Sequence, residues 1–147
     1  MIHRQTVLPE AWVVMVANAA FFYHPDGYRT DGSRLMGRQA AGEAYLSAYL
    51  RHGGFDTAYC FAASRDHFQD FCRRARAQGA PADLRMGWVP HEDSRGLSEP
   101  GCLFVPGPGL ETQAWQRRSL DAAQYSLCGV THTTASPGVM DSIGNLL

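Results

Sequence analysis

Tyr125-Ser-Leu-Cys-Gly-Val130, running on through Thr131-His-Thr-Thr134 into Ser136-Pro-Gly-Val-Met-Asp141, reads as strand, loop and helix. The first six residues are largely apolar and carry no formal charge, which suits a strand covered on both faces, as in a parallel sheet. Polar residues begin where that strand should end. Ser136 and Pro137 then suit the N-cap and first helical position. No acid precedes Asp141, so the amides of this helix start would be open to an anionic or hydroxylated ligand. Ligands of α/β sheets bind off the carboxyl ends of the strands, which makes this loop the first place to look for a site.

The same unit recurs upstream. Trp12-Val-Val-Met-Val-Ala-Asn18 is β-branched and apolar and reads as a first, central strand. A long loop with the Pro25-Asp-Gly27 turn signature follows, its Phe21, Phe22 and Tyr23 folding back onto the core. From Gly37 to His52 a helix is expected, with Gln39, Glu43, Ser47 and Arg51 as the polar stripe and Ala41, Ala44, Tyr45, Ala48 and Tyr49 as the packing face. Gly53-Gly54 should stop it. Thr57 to Ala63 is the second strand, and Ser64 caps a helix with Phe68, Phe71, Cys72 and Ala75 on one side. Arg73, Arg74 and Arg76 read as its solvated face. Leu84 to Val89 is a third strand, Pro90 to Pro100 a polar connection, and Cys102 to Val105 a fourth strand. Pro106-Gly-Pro-Gly109 lacks the full G-x-G-x-x-G spacing and precedes Glu111, so it reads as a tight turn rather than a phosphate loop. A helix from Glu111 to Leu120 leads back to the opening stretch. Strands alternating with helices require a mostly parallel sheet of about five strands with right-handed crossovers and helices on both faces, a Rossmann-like α/β domain spanning residues 1–147.

Composition narrows the function classes. The chain is 45% hydrophobic and 18% charged, with a formal net charge of -1, the balance of a folded protein with no electrostatic footprint for nucleic acid. Every one of its 13 basic residues is Arg, so neither Schiff-base chemistry nor a P-loop lysine is available. Ala11 to Ala20 is too short to span a bilayer and has no basic leader, which gives a cytoplasmic expectation. Cys60, Cys72, Cys102 and Cys128 are widely spaced and read as buried, reduced thiols rather than metal ligands or a disulfide framework. No metal and no cofactor are expected.

Two residues near the end invite chemistry. Thr134-Ala-Ser136-Pro-Gly138 approaches the nucleophile elbow, but no His follows Ser136, and an N-cap accounts for the serine. His132, at a strand's carboxyl end, can bond sugar hydroxyls or move protons; the alternative is an imidazole satisfied by backbone groups near the core.

Leu35-Met-Gly-Arg-Gln-Ala-Ala-Gly-Glu-Ala-Tyr-Leu46, Phe104-Val-Pro-Gly-Pro-Gly109, Ala114-Trp-Gln-Arg-Arg118 and Tyr125 to Ile143 resemble the N-terminal lobe of bacterial glycosyltransferases of the two-lobed GT-B fold, of the retaining, family-four kind. The resemblance implies a lobe that holds the acceptor and faces a second lobe, here absent, which binds most of the nucleotide sugar. It implies His132 beside the transferred sugar. Gly37, Arg38 and Gly42 would lie near the donor diphosphate, with Thr131, Thr133 and Ser136 at the other helix start. The partners implied are a nucleotide-sugar donor and an unidentified acceptor. With no second set of phosphate ligands, this chain alone should transfer no sugar, and an incomplete lobe should tend to self-associate. The alternative expectation is a non-catalytic Rossmann-type nucleotide-binding or interaction module.

Overall fold

A computed structural model describes residues 18–29, 37–130 and 136–146. Five strands form one sheet: β1 (Ala20–Phe22), β2 (Thr57–Ala62), β3 (Arg85–Pro90), β4 (Cys102–Val105) and β5 (Ser126–Gly129). Their order is β3-β2-β1-β4-β5, and every pairing is parallel. The helices are α1 (Gly37–His52), α2 (Arg65–Ala77), α3 (Glu111–Leu120) and α4 (Pro137–Gly144). This is the Rossmann-like α/β architecture that strand–helix alternation demands.

Parallel register puts Phe21 beside Cys60 and Phe104 on one face of the sheet. Leu46 and Leu50 of α1 and Phe71 and Ala75 of α2 close over that face, so the first core lies between the sheet and these two helices. Ala20, Phe61, Leu103 and Val105 point the other way and meet Leu97 and Tyr125, with Leu110 at the entrance to α3. Truncating a fully buried aromatic such as Phe71 to Ala would cost about 3–5 kcal/mol, because the facing leucines cannot collapse onto the space.

Four sequence expectations need correction. The central strand is Ala20–Phe22, which the sequence assigned to a loop; of the expected strand Trp12–Asn18, residues 12–17 lie outside the described residues and Asn18 is irregular. Asn18 is polar because it ties off the strand's start: its Nδ2 donates to the Thr57 carbonyl at 2.9 Å, and its Oδ1 accepts from Ala19 N and the Tyr49 hydroxyl, both at 2.7 Å. In α1 the buried stripe is Gly42, Leu46 and Leu50, with Tyr49 half-buried, whereas Ala44, Tyr45 and Ala48 are exposed. The two leucines, four residues apart, set the helix's rotation more strongly than the alanines.

Arg74 is not a solvated residue. Its Nε donates to the Tyr23 hydroxyl at 3.2 Å and its Nη1 to the Tyr28 carbonyl at 2.8 Å, because the β1–α1 loop folds back over α2. Finally, β5 is an edge strand with only one face covered: Leu127 is half-buried, while Ser126 and Cys128 are exposed. The α1 rings that cover this side reach Phe21 and Phe104 but stop there, so Cys128 is not the buried thiol expected, although Cys60 is.

The cap and turn chemistry follows the sequence closely. Ser64 Oγ accepts from His67 N at 3.2 Å and starts α2. Gly79, at φ +83°, ends that helix in the left-handed conformation that side chains resist, with Ala80 N returning to the Ala75 carbonyl at 3.0 Å. The Pro90–Pro100 connection is more than polar: Ser94–Ser98 forms a 3-10 turn that drives Leu97 into the second core.

Candidate functional site

β1 and β4 are neighbours in the sheet, yet the chain leaves them for opposite faces. α1 covers the Phe21 face, and α3 the Leu103 face, where Arg117 Nη1 donates to the Tyr125 carbonyl at 2.9 Å. Adjacent strands whose connections leave for opposite faces make the topological switch point of such sheets, whose carboxyl edge is where ligands bind in this architecture.

The side of this edge formed by β4 and β5 is tightly made. Gly107 N bonds the Val105 carbonyl at 2.7 Å, and Val130 N bonds the Gly107 carbonyl at 3.2 Å. A Cβ on Gly129 would come within 2.8 Å of that same carbonyl, so the Pro106–Gly109 segment is a turn seated on the end of β5. Glu111 begins α3 behind it. One carboxylate oxygen accepts from Ser142 Oγ at 3.2 Å, tying α3 to α4, and the other is buried with no partner among the described residues.

Of the residues singled out from the sequence, Thr131, His132 and Thr133 lie outside the described residues, as does the side chain of Arg38. Ser136 sits at the N-cap of α4 with Pro137 following, but its side chain makes no capping bond and is exposed. Gly37 opens α1, and a Cβ there would meet nothing within 4 Å. Gly42 is buried, and its Cβ position lies 2.9 Å from the Gly27 carbonyl and 3.4 Å from the Tyr28 ring. The helix is thus clamped to the Pro25–Gly27 turn at this point.

A second cluster was missed from the sequence. His24 follows β1, His67 lies in the first turn of α2 after β2, and His91 follows β3 directly. The His24 and His67 rings meet edge to face with centroids 4.7 Å apart. His24 Nδ1 accepts from Asp26 N at 3.3 Å and lies 3.7 Å from the Asp26 carboxylate. His91 lies over Phe22 and Phe61, with centroids at 5.0 and 4.3 Å, and its Nε2 is 3.2 Å from the Phe61 carbonyl. Burial pushes the His91 pKa below the usual imidazole value, against the opposing pull of the Phe61 carbonyl and Glu92. His67 Nδ1 is buried, with no hydrogen-bond partner among the described residues. The signal available in the sequence was position: each of the three histidines comes within a few residues of a strand's carboxyl end.

Behind this cluster the β1–α1 loop is fastened to α2. The Tyr23 hydroxyl donates to Asp70 Oδ2 at 2.5 Å, Asp70 Oδ1 accepts from Arg73 at 2.8 Å, and Arg74 binds both Tyr23 and Tyr28. Burial first, and then the Asp70 carboxylate, holds the Tyr23 phenol protonated well above its ordinary range.

Among the described residues no helix is long and apolar enough to cross a membrane. The chain matches no protein-family model, no curated protein and no solved structure.

Proposed function

We propose that the chain is the acceptor-side lobe of a two-lobed glycosyltransferase that moves a sugar from a nucleotide-sugar donor, with His132 orienting the transferred sugar. The observation that carries this reading is the β1/β4 switch point. The all-parallel order β3-β2-β1-β4-β5 puts the carboxyl ends of β1, β4 and β5 at one edge of the sheet, and His132 follows β5 in the sequence by three residues. The sequence resemblance supplies the chemistry, and a five-stranded, all-parallel Rossmann-like sheet is compatible with such a lobe.

In this reading the second lobe supplies the donor's nucleotide pocket and stabilises the leaving diphosphate. The present lobe contributes Gly37, Arg38 and the α4 start with Ser136 to the facing wall, and Thr131 and Thr133 flank His132. The Pro106–Gly109 turn is structural: it is seated on the end of β5, where Val130 N bonds the Gly107 carbonyl.

The test is donor binding and turnover, with UDP-, GDP- and ADP-sugars offered to the chain and backbone amide shifts followed by NMR. Weak perturbations confined to the segments after β1, β4 and β5, with no sugar consumed, are expected. Turnover by the enzyme with both lobes should fall far more than stability in His132→Ala. Nucleotide affinity below about 1 μM for this chain alone would overturn the proposal in favour of a nucleotide-binding module.

A further inference from the structure

We propose that His24 and His67, with His91 beside them, form a proton-dependent site for a tetrahedral dianion of the phosphoryl or sulfuryl class. The inference does not depend on glycosyl transfer and concerns the β1–β2–β3 part of the carboxyl edge rather than the β1/β4 switch point.

Three of the chain's six histidines converge here from three separate strand ends. The His24 and His67 rings are in contact across the boundary between the β1–α1 loop and α2, and both depress the pKa of His91 by like charge. Two protonated imidazoles in contact repel one another, and a counter-charge must then compensate. The carboxylates nearby do so only in part. Asp26 lies on the Nδ1 side of His24 and is itself 71% exposed, Glu92 acts on His91, and Asp66 is exposed next to His67 with Arg65 before it. The buried His67 Nδ1 has no hydrogen-bond partner among the described residues. Among the described residues no group of three or more His, Cys, Asp and Glu is placed to hold a metal ion. An anion would make protonation of neighbouring imidazoles favourable, and by linkage would bind more tightly as they charge.

Sulfate is the appropriate probe, because it stays a dianion from pH 5 to 8 and any pH dependence then belongs to the protein. Histidine Cε1–H resonances of the chain would be titrated in sodium sulfate and in sodium chloride of matched ionic strength. Sulfate should raise the midpoints of His24 and His67 and leave that of His52, exposed at the far end of α1, unchanged. Its Kd should be at least about tenfold lower at pH 5.5 than at pH 8, as coupling to a single proton requires. His24→Gln, at an exposed position, should abolish the effect on His67 while leaving far-UV circular dichroism intact. Equal shifts at His52, a Kd independent of pH, or an unaltered response in folded His24→Gln would each overturn the proposal. Phosphate and phenyl phosphate, run in parallel, distinguish a free ion from a phosphomonoester as the preferred ligand.

Discussion

Replacing Gly42 by Ala tests how the β1–α1 loop is held. Ala is the better helix former by about 1 kcal/mol, so an unobstructed site would gain stability. Gly42 is obstructed: the new Cβ would stand 2.9 Å from the backbone carbonyl of Gly27, a group that cannot swing aside like a side-chain tip, and 3.4 Å from the buried Tyr28 ring. Overpacking of this kind costs about 1–3 kcal/mol, which leaves Gly42→Ala destabilised by about 0–2 kcal/mol. Gly37→Ala is the matched control in the same helix, since its Cβ meets nothing. At roughly 2–4 °C per kcal/mol for a chain of this size, Gly42→Ala should melt a few degrees below Gly37→Ala, and Gly42→Val lower still. Because the Gly27 carbonyl belongs to the turn that His24 caps, the His24 resonances should shift in Gly42→Ala and not in Gly37→Ala. A Gly42→Ala protein melting at or above Gly37→Ala, with His24 unmoved, would refute the clamp.

Two further outcomes follow from buried polar groups. Tyr23→Phe removes the donor to Asp70 Oδ2 and one acceptor of Arg74, and should lower stability by about 1–2 kcal/mol in urea titration with an unchanged m-value; a loss within error would mean that the pair contributes nothing net. His91 is held neutral by burial, so between its depressed folded pKa and the unfolded value near 6.5 the unfolded chain binds more protons. Its contribution is therefore fully present above about pH 6.5 and is lost as the pH falls below that value. In chloride buffer the melting temperature should drop more steeply from pH 7.5 to 5.5 in the parent than in His91→Gln, and equal slopes would assign the acid sensitivity elsewhere.

Legibility in the sequence tracked how local the deciding physics was. α3 and β4 were read with their observed bounds, and α2 was placed by the Ser64 cap and the Phe71/Ala75 spacing, because caps and apolar periodicity act over a few residues. β1 was misplaced because Trp12–Val16 is the more β-prone run, whereas Ala20–Phe22 is a strand by virtue of partners about 40 and 80 residues away in β2 and β4. The exposed face of β5 was equally invisible: an apolar, uncharged strand looks the same at a sheet's centre and at its edge until the strand order is known.

The functional residues divide along the same line. Gly42 was singled out as a possible phosphate approach, and its space turns out to be filled by the Gly27 carbonyl, a contact created only when the Pro25–Gly27 turn folds back over α1. His24, His67 and His91 drew no notice as isolated residues 43 and then 24 positions apart, yet in the fold the first two rings meet and both act on His91. Arg74 shows the same effect in energetic terms, since at a helix end its sequence position explains it fully as a dipole partner, and only the tertiary fold reveals that it joins Tyr23 to Tyr28. Parallel sheets concentrate ligand-facing groups at strand ends that are remote in sequence. For this architecture, listing the polar residues after each strand is therefore a more productive search than scanning for contiguous motifs.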